Sequence, residues 1–449
     1  MKKVLYVFVT ILVLASCSDD DFGGNGTLQS VNFSVTLKYD NETYDGSFVN
    51  GGNITLTNTA TGDVYTVTSN ENGVAGFESI LPGIYNISVT KSMNNTEFNS
   101  TFGYNPTTLE VQFNGSQEQT TVNTNVTSTT IILKSARVGD LVIKQIYYAG
   151  SHIQQGAVFR DQFMEIYNNS NEVIYADGLY IGQLYGKNNT TTDTYTLSSG
   201  QYDWSQSIGM TAGSTANTDY VYADYVLQIP GTGEEYPINP DESIVIAQSA
   251  LNHKAPLTDN AEKPLEVQDP SLTVDLSGAD FEVYLGNWRA SIGEEVYRYD
   301  IDNPAVQDLN IAYWGNPKNY SGNRDFIMGN LGRDSFIIFR SDDFATYTDY
   351  PNPSVTTEAS NTKYFVQIPN TTIIDGVDLQ HYNPSSQRPK MLPSEIDTSS
   401  INCDAAYNSQ SIIRKTKTTI NGRIILEDSN DSANDFVKLA MANPGGFAP

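Results

Sequence analysis

The sequence predicts an all-β protein, and two observations support that prediction. Tyr and Phe occur 28 and 18 times, and Thr, Val, Ile, Asn and Gly are frequent, a composition typical of strands and turns. Val31, Phe33, Val35 and Leu37 are separated by polar residues, which is the period of a half-buried strand. A chain of 449 residues fits two or three domains, each able to bury its own core.

The charge of the chain excludes one class of partner. There are 52 acidic and 25 basic side chains, which give a net charge of -27. Proteins that bind nucleic acid neutralise phosphates with clusters of Lys and Arg. Such clusters are absent from the sequence, so we expect no nucleic-acid partner.

The N-terminal segment carries an export signal. Lys2 and Lys3 precede an apolar run that is too short to span a bilayer and is typical of a secretory signal peptide, residues 1–16. Leu14-Ala15-Ser16-Cys17 resembles the lipobox of bacterial lipoproteins, in which the Cys is acylated, for example with palmitate. The resemblance implies that Cys17 is the lipid anchor, and two or three acyl chains hold a protein nearly irreversibly. The alternative is an ordinary Cys in a secreted protein.

The segment after the cysteine is acidic and rich in Gly, which favours an unstructured tether over residues 17–30. Ser18, Asp19, Asp20 and Asp21 resemble the surface-export signal of Bacteroidetes lipoproteins. That resemblance implies an outer-membrane protein exposed on the cell surface; the alternative is a solvated tether only. After processing, Cys403 is the one remaining thiol besides Cys17, and we expect it to be a small buried residue.

The first folded body is predicted over residues 31–134, where short alternating runs are separated by Asn-Gly and Pro-Gly turns. Asn70-Glu71-Asn72-Gly73 and the later Pro82-Gly83-Ile84-Tyr85 resemble the carboxypeptidase regulatory-like, or transthyretin-like, β-sandwich. The resemblance implies seven or eight strands and no active site in this domain.

The second body is predicted over residues 139–443. The strand Phe163-Met164-Glu165-Ile166-Tyr167-Asn168 and the later Asp177-Gly178-Leu179 resemble the lamin-tail domain, which is an immunoglobulin-like β-sandwich. Three segments depart from that pattern as long insertions, at about 187–238, 250–325 and 341–365. Loops of that length usually carry function, so we expect the specific properties of the protein there.

The whole arrangement resembles an uncharacterised family of Bacteroidetes outer-membrane lipoproteins that joins these two modules. The resemblance implies a non-catalytic binding or scaffolding subunit, accessory to a TonB-dependent nutrient-uptake complex that would include a transporter and a glycan or peptide ligand. Two alternatives stay open. One is an extracellular hydrolase of glycans or peptides, and the other is an adhesin.

Local signatures of catalysis are absent from the sequence. The three His stand apart, and no zinc-hydrolase, serine-hydrolase elbow or nucleotide-binding loop motif occurs, so we expect no enzyme, no cofactor and no metal. A dispersed triad stays possible. The run from Asp428 to Asn434 alternates oxygen side chains as calcium loops do, but it lacks their Gly and bidentate Glu. It favours a cluster of Asx turns over a cation site.

The remaining signal is aromatic. Large aromatic residues interleaved with polar ones suit sugar rings, peptide backbones or a protein partner, although strands also favour Tyr for packing. We select as candidate binding residues five that lie in the insertions: Tyr220, Tyr222, Tyr225, Trp288 and Trp314.

Overall fold

The computed structural model describes residues 29–41, 44, 46–103, 110–136, 140–170, 172–187, 191, 193–315, 324–420 and 422–449. The signal peptide, the lipidation site Cys17 and the export signal Ser18–Asp21 lie outside the described residues. Among the residues that are described, no helix has the length and apolar character needed to cross a bilayer.

The predicted all-β fold is confirmed, and its first body is one seven-stranded sheet that folds over on itself. The strand order is β3-β2-β5-β6-β7-β1-β4, in which β7 and β1 run parallel and the other neighbours antiparallel. The strands are β1 (Val31–Tyr39), β2 (Asn53–Asn58), β3 (Val64–Thr68), β4 (Val74–Ile80), β5 (Gly83–Asn94), β6 (Glu110–Val122) and β7 (Ser128–Ala136).

Alternation in the sequence decides which side chains fill this body. In β1 each second residue is buried, so Val35 and Leu37 point into the core while the residues between them are more exposed. Helix α1 (Asn95–Phe102) closes one end of the core, because Phe98 packs against Phe113 of β6 with ring centroids 6.2 Å apart. The apolar residues of this cluster lie between positions 31 and 133.

The second body is built from two further seven-stranded sheets that face one another. The β12 sheet has the order β21-β22-β12-β11-β20-β23, with β19 also paired to β12, and the β8 sheet has the order β18-β17-β14-β9-β8-β24-β27. The strands are β8 (Leu141–Tyr147), β9 (Phe163–Asn168), β10 (Ile174–Tyr175), β11 (Tyr180–Leu184), β12 (Tyr220–Gln228), β13 (Pro237–Ile238), β14 (Ser243–Ala247), β15 (Leu257–Thr258), β16 (Pro264–Leu265), β17 (Phe281–Glu282), β18 (Gln307–Asp308), β19 (Asn310–Trp314), β20 (Ser335–Phe339), β21 (Asp349–Pro351), β22 (Tyr364–Pro369), β23 (Ile373–Asp378), β24 (Ser411–Arg414), β25 (Thr416–Ile420), β26 (Arg423–Leu426) and β27 (Phe436–Leu439). Two short helices complete it, α2 (Gly286–Ser291) and α3 (Ser432–Asp435).

Both faces of these sheets are covered, which explains why alternation is lost in the second body. All seven residues of β8 are buried. One face packs in the core between the sheets, where Ile143 and Ile166 meet Ile338 of the facing sheet. The opposite faces are covered by the long connecting segments, for example by Leu276 on the β8 sheet and Leu392 on the β12 sheet. Strands buried on both faces read as continuous apolar runs.

A buried arginine joins the two facing sheets. Arg414 lies at the end of β24, and its Nη2 is 2.6 Å from Asp375 on β23 of the other sheet. Its Nη1 lies 3.2 Å from Asp428 and 3.4 Å from Asp435. Its Nε donates to the carbonyl of Ile143 at 3.0 Å. Burial alone would lower the pKa of this guanidinium, but the three aspartates raise it above its usual value. The guanidinium therefore stays charged, and its contacts connect the two sheets with the C-terminal segment.

A second buried ion pair fastens the C-terminus. Lys144 Nζ lies 2.8 Å from Glu165 Oε1, and both side chains are buried. The ammonium also lies 3.9 Å from the ring centroid of Phe447, which is a favourable cation–π distance. Glu165 accepts a further hydrogen bond from the Gly445 N–H at 3.3 Å. Removing two charges from water costs free energy, so a buried ion pair is stable only when additional partners such as these also contact the charged groups.

In several other carboxyl groups, burial outweighs the effect of a nearby cation, such as that of Lys390 on Asp397. Burial is the largest cause that raises their pKa values, to about 8 for Asp300, about 7 for Asp325, Asp397 and Glu282, and about 6 for Asp334. These groups stay protonated in the folded chain at pH values where an exposed carboxyl group is ionised.

We predict that Arg414→Met lowers the free energy of unfolding by about 3–5 kcal/mol, because it leaves three aspartates facing one another without a counter-charge. Chemical denaturation measures this change. Lys438→Met is the control, since Lys438 pairs with Asp404 at the surface and such pairs contribute about 0–1 kcal/mol. Equal losses in the two variants would contradict the central role of Arg414.

We also predict that stability falls as the pH rises. The five carboxyl groups titrate at about 4 when the chain is unfolded but near 6–8 when it is folded, so the folded state holds more protons between these values. The melting temperature should be higher at about pH 5.5 than at about pH 8.5.

The variant Asp300→Asn should flatten this profile, whereas Asp342→Asn should not, because Asp342 is exposed. A melting temperature that stays constant or rises toward alkaline pH would show that burial does not hold these protons.

Candidate functional site

A cleft lies where the first body meets the second, and we call it the junction cleft. It has a volume of about 240 Å³, just below the roughly 300–1,000 Å³ of typical ligand pockets. The first body contributes Ser116 and Glu118 of β6, and the loop 390–394 lies across from them. The other walls come from the end of β11, the segment 197–204 and the beginning of β12.

Direct hydrogen bonds hold the two bodies together beside this cleft. Asn114 Nδ2 donates to the carbonyl of Ser429 at 3.0 Å, and the hydroxyls of Ser116 and Ser394 form a short hydrogen bond. Because Asn114, Ser116 and Glu118 alternate along β6, they share one face of the strand, and that face is turned toward the second body.

The loop segments that line the cleft are fixed by side-chain amides. Gln201 accepts from the Lys187 N–H at 2.7 Å and donates to the carbonyl of Lys390 at 3.2 Å. Asn217 accepts from the Trp204 N–H at 2.9 Å and donates to the carbonyl of Tyr202 at 2.7 Å. Their hydrogen-bonding capacity is used to shape the cleft, which leaves other groups to meet a ligand.

The aromatic wall of the cleft is a set of stacked rings. Trp204 and Tyr222 stack with centroids 3.7 Å apart, and Tyr185 stacks on Phe365 at the same distance. Burial is the largest cause that raises the pKa values of Tyr185 and Tyr222 above the usual range. Tyr220, at the beginning of β12, and Tyr185 are both half-buried, so both are more exposed than Tyr222. The ring of Tyr185 is stacked on Phe365.

Glu118 is the carboxyl group of the cleft. Burial raises its pKa to about 7, although Lys390 lowers it, and the neighbouring charge of Asp378 raises it further. Lys390 Nζ is already engaged, since it donates to the carbonyls of Asp397 at 2.5 Å and Ser399 at 2.9 Å and lies 3.2 Å from Asp378. Among the described residues that line the cleft, Glu118 alone carries a carboxyl group.

The five candidate aromatic residues do not form one site. Tyr220 and Tyr222 line the junction cleft, whereas Tyr225 and Trp314 pack against one another in the core between the two sheets, 4.1 Å apart. Trp288 is half-buried against Trp314 at 6.1 Å.

Tyr222, Tyr225 and Trp314 are buried, with 3%, 6% and 2% exposure, which favours the alternative of strand packing for these three rings. The physical reason is that β12 and β19, which lie in segments taken as insertions, are strands of the β12 sheet, so their aromatic residues fill its faces. A ligand role for the five residues stays a prediction, and Tyr220 has the best position for it.

No motif in the sequence pointed to Glu118 or Lys390. Each is one charged residue among many, and only the docking of β6 on the loop 390–394 brings them to one cleft. The aromatic content around Trp204 and Tyr222 was visible in the sequence, but its partner across the cleft was not.

One group of three carboxylates is spaced closely enough to hold a metal ion, although the sequence leads us to expect no metal. Oxygen atoms of Glu282, Asp302 and Asp308 lie within 4.8 Å of one another. Glu282 already accepts hydrogen bonds from the Ala250 and Asn303 N–H groups at 2.8 and 2.6 Å. These bonds give the group a structural role in holding a loop, which accounts for the position of Glu282 without an ion.

One smaller expectation is confirmed. Cys403 is a buried thiol with 1% exposure. The acidic C-terminal run contains α3 rather than a cluster of Asx turns: Asp431 caps this helix through the Asn434 N–H, and Asp435 accepts from the Ser429 N–H at 2.9 Å.

The comparisons with known proteins agree with this fold. A family model described as "Protein of unknown function (DUF4876)" matches residues 239–443. The crystal structure of a DUF4876 family protein from Bacteroides thetaiotaomicron VPI-5482 is 24% identical, covers 93% of this chain and 98% of its own, and superposes with a TM-score of 0.53.

Two further structures resemble the chain too distantly to carry an argument. Fervidolysin from Fervidobacterium pennivorans is 14% identical, with coverage of 36% of this chain and 21% of its own and a TM-score of 0.19. A DUF3823 family protein from Bacteroides ovatus ATCC 8483 is 15% identical, with coverage of 48% and 99% and a TM-score of 0.14. No curated protein matches the chain. The comparisons thus support an all-β fold, and residues 239–443 are similar to the DUF4876 family.

Proposed function

We propose that the protein is a surface-exposed outer-membrane lipoprotein that acts as a non-catalytic binding subunit, accessory to a TonB-dependent nutrient-uptake complex. Its first body is a transthyretin-like domain near the anchor, and its second is a lamin-tail-like domain. The junction cleft is the place where it holds its ligand.

The observation that carries this proposal is the composition of the junction cleft. Both bodies contribute to it, and it combines a half-buried tyrosine, Tyr220, with one carboxyl group, Glu118. Pockets at the meeting of two domains that combine an aromatic wall with a few polar groups are the usual form of small-ligand sites. The stacked rings behind Tyr220 make that wall rigid, so little entropy is lost when a ligand contacts it.

The same composition supports binding over hydrolysis. A glycosidase needs two carboxyl groups that converge on one bond, about 5–9.5 Å apart. The described lining of the cleft offers Glu118, while Asp378 lies behind Lys390 and accepts from the N–H groups of Met391 and Leu392. Asp378 is thus committed to the loop, and the cleft has no second acid to complete a pair among its described lining residues.

The lipid anchor provides the first test of the proposal. We expect labelled palmitate to be incorporated into the wild-type chain and into Cys403→Ala, because Cys403 is buried, and to be lost in Cys17→Ala. Protease added to intact cells should degrade the anchored protein. Palmitate labelling that persists in Cys17→Ala, or full protection of the protein from the protease, would contradict the surface-lipoprotein proposal.

A second test concerns the partner. A C-terminal affinity tag should recover an outer-membrane transporter together with the wild-type protein from detergent-solubilised membranes, as identified by mass spectrometry. The tag is suitable because the C-terminal residues 444–449 are half-exposed or exposed. Repeated purification without any transporter would exclude the accessory role, whatever the cleft binds.

A further inference from the structure

The charges around the junction cleft are unbalanced, and this imbalance indicates what the cleft can accept. Glu118, Asp378 and Asp397 surround a single ammonium group, that of Lys390. Lys390 Nζ uses its donors on Asp378 and on two carbonyls behind the loop, so it does not neutralise Glu118 through a direct ion pair among the contacts described. Two carboxyl groups in excess are held in a partly buried place.

The raised pKa values show that two of these carboxyl groups are held largely out of water, even though Lys390 lowers both pKa values. Burial is the largest cause for Glu118 and for Asp397, and both carboxyl groups reach a pKa of about 7. A carboxyl group beside sufficient positive charge would titrate well below its usual value instead. A cation that entered the cleft would therefore favour ionised Glu118.

The aromatic wall supplies the second kind of contact for a cation. The faces of aromatic rings attract ammonium groups, and tyrosines and tryptophans together with a carboxylate are the recurring surroundings of alkylated ammonium ligands. Here Tyr185, Trp204, Tyr220 and Tyr222 line the same cleft as Glu118. An anion would be repelled by the excess carboxyl groups, and the net charge of -27 acts in the same sense at longer range.

We propose that the junction cleft binds a ligand through a cationic ammonium group, which contacts the Glu118 carboxylate and the ring of Tyr220. This inference rests on the proposed function, because it names the ligand class of the same cleft. The ammonium group belongs either to a small free amine or to a lysine side chain of a peptide. The cleft has a volume of about 240 Å³, so it would hold the whole of a small amine but only the side chain of a peptide lysine.

The test uses the full-length protein and calorimetric titration with choline, with N-acetyl-lysinamide, and with the neutral isostere of choline in which carbon replaces nitrogen. We expect one of the two cations to bind at least about tenfold more tightly than the neutral isostere, and the stronger one identifies the source. Affinity for that cation should fall as the pH drops from about 8 to about 6, because Glu118 takes up a proton.

Two variants localise the effect. Glu118→Gln should weaken binding of the cation by at least about tenfold and remove its pH dependence, and Tyr220→Ala should weaken it by a similar factor. The controls are Glu78→Gln and Tyr175→Ala, which change exposed residues away from the cleft. Melting curves for each variant ensure that only folded protein is compared.

The outcomes separate this inference from the proposed function. Equal affinity for the cation and its neutral isostere, lost in Tyr220→Ala, would overturn the charge inference and leave the cleft as a binding site. Tight cation binding that Glu118→Gln does not change would overturn it as well. If neither cation nor neutral probe gives a signal that depends on Tyr220, then both the inference and the ligand role of the cleft fail.

Discussion

The ion cluster around Arg414 is the interaction on which the second body depends. A sandwich of two sheets is held by apolar packing, which does not by itself fix the register of one sheet against the other. Arg414 connects β24 of one sheet to Asp375 of the other and reaches the C-terminal segment through Asp428 and Asp435. That geometry sets the position of the chain end, and the chain end contributes Ser429 to the junction with the first body.

The proposed function depends on the junction between the two bodies. The first body is a complete sheet with its own core, and β6 contacts the second body beside the cleft. Ser135 of β7 also lies next to residues of the second body. The loop 390–394 that receives this face is fixed by Asp378 at the end of β23, which accepts from the N–H groups of Met391 and Leu392. Glu118 and the aromatic wall therefore meet because two rigid bodies are docked, and neither body forms the cleft alone.

Much of the fold was predictable from the sequence. The alternation in β1 and the composition pointed to strands, and the residues from Asn70 to Gly73 marked the tight turn that connects β3 to β4. These two strands do not pair with each other, because β3 pairs with β2 and β4 pairs with β1. The structure of the segments taken as insertions was harder to predict. Strand β12 is buried on both faces, but the sequence analysis selected its tyrosines as candidate binding residues. Only the pairing with β11, β19 and β22 shows that they belong to a central strand.

The cleft itself was beyond sequence reasoning, since Glu118 and Lys390 are far apart in the chain and neither belongs to a motif. The central claim is that one ligand contacts both bodies at once. Hydrogen–deuterium exchange of the full chain, with and without a saturating concentration of whichever of the two cations binds more tightly, tests it most directly. The account predicts that amides of 116–118 and of 390–394 are protected together and by the same ligand concentration. Protection confined to one body, or located away from the cleft, would contradict it.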